Sequence, residues 1–445
     1  MPIHPNLLFV FADQMRSHDM GCSGNPQVLT PHLDAMAEGG VRFTNAVSTC
    51  PICTPYRASL LTGRYPLSNG MILNDVRLPV TETSIAHVLG GAGYSTAYIG
   101  KWHLDGPYRG SFTPPGPRRQ GFDYWAASNC THSYLNSHYY RDTPEPIWIE
   151  GYDADHFTDL TIDFMRERAS NGPFAAFLSW GPPHCPYLEL PDAYRIYNPE
   201  ALQPRPNSTR PQLDRLAGYY AHITALDRNI DRLQAALAEL GIAEGTIFVF
   251  TSDHGDMLGS HGHNYKQRPW EESISVPCIA SHPGVLPEGL VTDTLLNVPD
   301  LMPSLLSLCG VPSPGTVEGQ DLSCAFRGED GPEPQSAFIS NPCPFIEDIP
   351  EWRGVRSKRY TYARTLRGPW LLYDNVADPY QLNNLVDDPA HAATRSALDT
   401  DLDSWLARLG DDFQPREVYW ERFGYTVDTS GAIPCFGEVG LHDPA

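Results

Sequence analysis

The sequence predicts an α/β protein: a large, mainly parallel sheet sandwiched by helices, followed by a smaller C-terminal α+β subdomain containing an antiparallel sheet. Short, fully apolar β-rich runs recur with helical stretches between them, as expected for strands buried on both faces. Beyond about residue 340 the pattern changes to period-two alternation, which reads as half-buried antiparallel strands.

The elements follow in order. Residues 7–11 (Leu-Leu-Phe-Val-Phe) form the first buried run, and Asp13 closes it. A helix over 30–38 follows, with Thr30 as its N-cap and Pro31 at its first position, and another is expected over 81–89. Residues 95–99, 174–178 and 246–250 repeat the strand signature, with helices expected over 157–168 and over 212–240, the latter stopped by Gly241. Residues 105–151 break the rhythm. They are rich in Pro, Gly and aromatics (Tyr124, Trp125, Tyr134, Tyr139, Tyr140, Trp148), and read either as a functional loop or lid or as packing over the sheet edge. After a helical stretch at 298–308, Pro- and Gly-rich sequence to about Pro344 resembles a linker. Strands at 352–356, 359–364 and 370–373 and a helix over 392–409, ended by Gly410, complete the pattern. The expected division is 1–340 for the catalytic α/β domain and 341–445 for the subdomain and tail.

Composition narrows the function. Of 445 residues, 41% are hydrophobic and 19% charged, which excludes disordered and coiled-coil classes. Lys+Arg 31 against Asp+Glu 53 gives a net charge of −22, so nucleic acid and anionic membranes are not expected partners. There is no run of about eighteen apolar residues. The opening Met1-Pro2-Ile3-His4-Pro5 lacks a basic leader segment, and ten scattered cysteines form neither a disulfide framework nor a zinc pattern. A cytoplasmic, reduced protein is the expectation.

Ligands of open α/β sheets bind at the carboxyl ends of the parallel strands. Asp13-Gln14 follows the first strand and Asp253-His254 follows the strand ending at Ser252. One such Asp usually caps a helix or turn; two at equivalent positions point to a hard cation. The segment Cys50-Pro51-Ile52-Cys53-Thr54-Pro55-Tyr56-Arg57 admits two readings. Cys50 and Cys53 form a C-x-x-C, but no thioredoxin-like setting surrounds them. Read from Cys53 through Arg57 and on to Leu60-Leu61-Thr62-Gly63-Arg64, the stretch resembles the signature of the sulfatase family, C-x-P-x-R followed by a leucine and a Thr-Gly pair. The resemblance continues in the family's order through Gly100-Lys101-Trp102-His103-Leu104, Pro182-Pro183-His184, Ser252-Asp253-His254-Gly255-Asp256 and Lys266 ahead of Trp270-Glu271-Glu272-Ser273. Arg359-Tyr360-Thr361-Tyr362 and Leu372-Tyr373-Asp374 look like the family's C-terminal subdomain.

This resemblance implies a formylglycine-dependent sulfuric ester hydrolase of the alkaline-phosphatase-like superfamily. Cys53 would be oxidised to formylglycine by a formylglycine-generating enzyme, and its hydrated aldehyde would attack sulfur. Asp13, Gln14, Asp253, His254 and the modified Cys53 would hold one divalent cation. Arg57 would orient the diol beside Lys101, His103 would be the base of the elimination step, and either His184 or Lys266 would protonate the leaving alcohol. Cationic groups suit this task, since a sulfate monoester is already anionic. His261 and His263 read as loop packing. Gln14 stands where many members have Asp, and His254 where many have Asn. An imidazole ligand is comfortable with manganese or zinc, yet calcium is the preferred expectation, with manganese or magnesium behind it.

Three rivals remain at this stage. A phosphonate monoester or phosphodiester hydrolase shares the modified cysteine, but the lysine of the Gly-Lys-Trp-His stretch stands against it. A choline, alkyl or aryl sulfatase differs only in the alcohol. A silent binding protein, or a redox protein using Cys50 and Cys53, would leave the ordered motifs unexplained. Aromatics at 105–151 and in the tail (Tyr419, Trp420, Phe423, Tyr425) favour a sulfated saccharide as substrate; the tail could equally serve a homo-oligomer interface.

Overall fold

The computed structural model describes residues 4–346 and 348–435. The chain opens with β1 (Asn6–Asp13), α1 (Pro31–Glu38), β2 (Val41–Val47), α2 (Cys53–Thr62), α3 (Pro66–Asn69) and α4 (Ile85–Gly91). It continues through β3 (Ser95–Lys101), β4 (Tyr124–Ser128), the short pair β5 (His138–Tyr139) and β6 (Ile147–Trp148), and α5 (Asp153–Arg168). Then come β7 (Phe174–Pro183), α6 (Leu213–Glu239), β8 (Thr246–Ser252), α7 (Glu271–Ile274), β9 (Cys278–Ser281), β10 (Leu290–Asn297), α8 (Val298–Leu308) and α9 (Ser323–Arg327).

Eight of these strands make one sheet in the order β10-β2-β9-β8-β1-β7-β3-β4. All are parallel except β9, which runs against both β8 and β2. The central strand explains its own sequence. Leu7, Phe9 and Phe11 enter the core on one face, and Leu8, Val10 and Ala12 enter a second core on the other. With neither face wet there is no place for alternation, and each Leu, Val and Phe side chain contributes roughly 1.5–3 kcal/mol by burial.

Several expectations are corrected. Thr30 does not cap α1 with its side chain; the Asp227 carboxylate of α6 accepts the N–H groups of His32 and Leu33 instead. Of the two readings of residues 105–151, packing over the sheet edge is the one observed. These residues supply β4, which pairs parallel with β3 at the sheet edge, and Trp125 packs on Tyr98 and Trp102. Tyr134, Tyr139 and Tyr140 are buried too, while Trp148, 56% exposed, faces solvent broadly. The stretch read as a linker contains α9 and a strand, β11 (Ser336–Asn341). Strand β9 is only four residues long, too short for periodicity to register.

Strand β11 opens the second sheet, an antiparallel meander with β12 (Trp352–Ser357), β13 (Tyr360–Thr365) and β14 (Gly368–Asp374). Its alternation follows from having two different neighbours. Phe338, Val355, Tyr362 and Leu372 pack under α10 (Ala392–Leu409), while Ala337, Ile339, Trp352 and Leu371 pack against Trp270 and Ile274 of the larger part. The final helix, α11 (Arg416–Phe423), is tied down by the buried group Arg353, Asp411 and Tyr419. Trp420, Phe423 and Tyr425 pack against the main core, with the Tyr425 hydroxyl donating to Gly70 O. These tail aromatics are thus half-buried in intramolecular packing. No helix among the described residues is long and apolar enough to cross a membrane.

Candidate active site

The carboxyl ends of four parallel strands and the start of one helix converge on a single buried cluster. Asp13 ends β1, Lys101 ends β3, His184 follows β7, and Asp253 and His254 follow β8. Cys53 is the first residue of α2, and Arg57 lies one turn further along the same helix. All ten residues of α2 are buried, and Gln14 and His103 turn away from their strands through left-handed backbone (φ 70° and 56°).

The ligand atoms of Asp13, Cys53, Asp253 and His254 all lie within 4.8 Å of one another. Cys53 Sγ is 3.3 Å from His254 Nε2, 3.7 Å from Asp13 Oδ1 and 3.6 Å from Lys266 Nζ. His254 Nδ1–H donates to Gly255 O at 3.0 Å, which fixes the tautomer and turns the Nε2 lone pair toward the two carboxylates. Asp253 Oδ1 accepts the backbone N–H groups of Gln14 and His254. Such a donor set fits a divalent cation: two carboxylates, an oriented imidazole and the Cys53 side chain, all shut off from water.

Cationic side chains ring this cluster. Lys101 Nζ is 2.7 Å from Asp13 Oδ2, and Arg57 Nη2 reaches Asp13 at 3.2 Å and Asp253 at 3.4 Å. Arg57 Nη1 is anchored on Ser179 Oγ and Lys101 O, so its position is set from behind. Lys266 Nζ donates to His184 Nε2 at 2.7 Å and to Gln14 Oε1 at 2.8 Å. His184 Nδ1–H is committed to Cys185 O at 2.7 Å, so Nε2 is an acceptor and the ring is neutral.

The titration behaviour follows from burial against these charges. Burial raises the Asp13 pKa, but Lys101 leads a group of cations that holds it well below the usual carboxylate range. Asp253 is pushed up to about 6 by burial and by Asp13. For Cys53, burial and Asp13 disfavour the thiolate, yet Lys266, Lys101 and His254 bring it well below the ordinary thiol value. His184 is held well below the ordinary histidine range by burial and then by Lys266. His103 goes the other way: burial opposes its charge, but Cys130 and Asp75 outweigh it and set the value at about 10. His103 Nε2 meets Asp75 Oδ1 at 2.9 Å, and Arg109 braces the same carboxylate.

Asp13, Gln14, Cys53, Arg57, Lys101, His103, His184, Asp253, His254 and Lys266 thus fall in or beside one site. Sequence reasoning missed four others. His132 stacks on His184 with centroids 4.2 Å apart, and its Nε2 lies 3.3 Å from Lys101 Nζ. Asp75 positions His103, and Ser179 positions Arg57. Asp256 takes the Gln14 amide nitrogen at 2.7 Å, which turns the amide oxygen to Lys266. Only Asp256 carried a signal, its place in the Ser-Asp-His-Gly-Asp stretch. Cys50 is buried, with its thiol pushed up by burial, and Cys50 and Cys53 are both free thiols.

Residues 5–311 match the profile of the family described as Sulfatase, well over half of the chain. The chain belongs to the sulfatase family. Residues 259–407 of this sulfatase also match the profile described as N-sulphoglucosamine sulphohydrolase, C-terminal. The sulfatase is 43% identical over 447 residues to the ulvan-active sulfatase of Formosa agariphila, across 97% of this chain and 87% of that protein. An endo-4-O-sulfatase of Bacteroides thetaiotaomicron is 28% identical, across 95% and 96%. The crystal structure of the Bacteroides fragilis protein yidJ superposes with a TM-score of 0.85 at 30% identity, covering 93% of this sulfatase and 97% of that chain. The protein is a sulfuric ester hydrolase, of a family that generally uses a metal and formylglycine.

Proposed function

We propose that this sulfatase hydrolyses a sulfate monoester of a carbohydrate, with Cys53 converted to formylglycine beside one divalent cation, calcium by preference. The observation that carries the catalytic part is the position of Cys53 Sγ, between the His254 and Asp13 ligand atoms and the Lys266 ammonium. Asp13, Gln14, Asp253, His254 and the oxidised Cys53 side chain would hold the cation, an oxygen-rich set once sulfur is replaced. When present, the cation supplies Lewis-acid charge for the anionic ester, and the hydrated aldehyde supplies the oxygen nucleophile.

The remaining work falls to the chain's own side chains. Lys101 and Arg57 bracket Asp13 and hold positive charge where the sulfuryl oxygens sit. Lys266 is the acid toward the leaving alcohol, because the neighbouring His184 is neutral and its Nε2 already accepts a hydrogen bond. His103 is the base for release of sulfate; Asp75 holds its Nε2, which leaves Nδ1 to take the proton. A pKa of about 10 makes it a strong acceptor that must enter that step deprotonated.

The carbohydrate part is supported by the ulvan-active and endo-4-O-sulfatase relatives. Incubation of the matured enzyme with a panel of sulfated mono- and oligosaccharides should release inorganic sulfate from at least one. Turnover of 4-nitrophenyl sulfate with none of any sugar would overturn this part while leaving the catalytic part standing.

A further inference from the structure

Two residues past Lys266 lies an arginine that the mechanism does not use. Arg268 is 5% exposed, and its Nε is buried without a hydrogen-bond partner. Its backbone N–H donates to Ser273 Oγ, but its guanidinium makes no hydrogen bond or ion pair among the described residues. A buried charge without a partner costs several kcal/mol unless something supplies the counter-charge. Burial alone drags its pKa down to about 10, with Asp348 opposing too weakly to restore it.

Its backbone is held in the segment that carries Lys266. Gln267, in left-handed backbone (φ 76°), is clamped on both sides. Its N–H donates to Pro51 O in the Cys53 loop, its carbonyl accepts Trp352 Nε1–H, and its Oε1 accepts the Phe345 N–H. This clamp ties Gln267, the residue between Lys266 and Arg268, to the nucleophile loop at Pro51 and to Phe345. Facing Arg268 are His263, whose charge is suppressed by burial and by Arg268, and the carboxylate of Asp348, which forms no ion pair with it. No more than about 7 Å separates the Cα atoms of residues two apart. Lys266 and Arg268 are therefore close enough for one multiply charged ligand to span them.

We propose that Arg268 is a specificity-determining residue that pairs with a second anionic group of the substrate, a carboxylate or a further sulfate ester on the same or the adjoining sugar ring. The inference rests on the reading of the chain as a carbohydrate sulfatase and adds that its sugar is at least doubly anionic. The guanidinium suits either group, since both present paired oxygens to its fork of N–H donors.

The test compares the matured wild type with Arg268→Met and Arg268→Lys on two substrate pairs. One pair is an aryl sulfate with and without a ring carboxylate; the other is a monosulfated neutral sugar against sugars carrying a uronic acid or a second sulfate. On the singly anionic members Arg268→Met should stay within about threefold of wild type. On the doubly anionic ones it should lose about ten- to a hundredfold in kcat/KM, mostly through KM, as removal of a charge-assisted hydrogen bond does. Arg268→Lys should recover part of this. Which sugar shows the loss tells uronate from sulfate. Thermal unfolding gives a readout that a structural role would move: Arg268→Met should melt at or above the wild-type temperature. Equal loss on all substrates, no loss on the doubly anionic ones, or a melting temperature several degrees lower would overturn the proposal. Should no sugar be turned over, the carbohydrate reading fails, and the aryl pair and the melting temperature still judge Arg268.

Discussion

The hydrogen-bond direction between Lys266 and His184 makes a prediction that separates two acids. His184 gives its Nδ1–H to Cys185 O and accepts from Lys266 at Nε2, so the transferable proton sits on Lys266. The perturbation is Lys266→Gln, which keeps a donor near Gln14 and removes the acid. A general acid is worth about 10²–10⁴ in rate, but only when the leaving group needs the proton. Loss of Lys266 should therefore cost about 10²–10⁴ in kcat on an alkyl or sugar sulfate, or about 3–5 kcal/mol of barrier. On 4-nitrophenyl sulfate, whose phenolate leaves unaided, the loss should be about tenfold or less, covering only the binding charge lost 3.6 Å from Cys53 Sγ. The assay is sulfate release from both substrates by wild type, Lys266→Gln and His184→Asn. An equal loss on both substrates for Lys266→Gln, with the leaving-group-dependent loss appearing in His184→Asn, would refute the assignment.

Further outcomes follow from other parts of the structure. The His103 value of about 10, against 6.5 ordinarily, means its interactions with Cys130 and Asp75 stabilise the fold fully below about 6.5 and lose that contribution as pH rises through about 10. Wild-type melting temperature should fall across that window and Asp75→Asn should flatten the fall; identical curves would refute the pairing. Two buried carboxylates beside His254 should make the fold depend on a cation. Chelation should lower the melting temperature, and restored calcium at about 100 times its dissociation constant should return about 2.7 kcal/mol; insensitivity to chelator would count against the site. Arg353 and Asp411 are both fully buried. Arg353→Met should cost about 3–5 kcal/mol in urea unfolding, and the double change with Asp411→Leu should recover much of it.

The sequence was most readable where one physical demand acts on a residue at a time. The run from Leu7 to Ala12 is apolar because both faces of β1 are buried, and Gly410 ends α10 in left-handed backbone. The second sheet alternates because α10 covers one face and Trp270 the other. It was least readable where a distant partner decides. Thr30 has the chemistry of a cap, but Asp227, 195 residues or so away, takes the helix donors. The aromatics at 105–151 read as either a lid or sheet-edge packing because nothing local shows that Trp125 sits on Tyr98 and Trp102. In the site, the strand-end acids and the Cys53 motif were visible, while His132, Asp75 and Ser179 were not. Each of those three acts by contact with a motif residue rather than by membership of a motif.

Conversion of Cys53 is the point on which the catalytic reading turns, and peptide mass measurement tests it most directly. In active enzyme, the peptide spanning Cys53 and Arg57 should carry the mass of an aldehyde side chain in place of a thiol, in proportion to specific activity. Full activity in a sample whose Cys53 is wholly an unmodified thiol would contradict it.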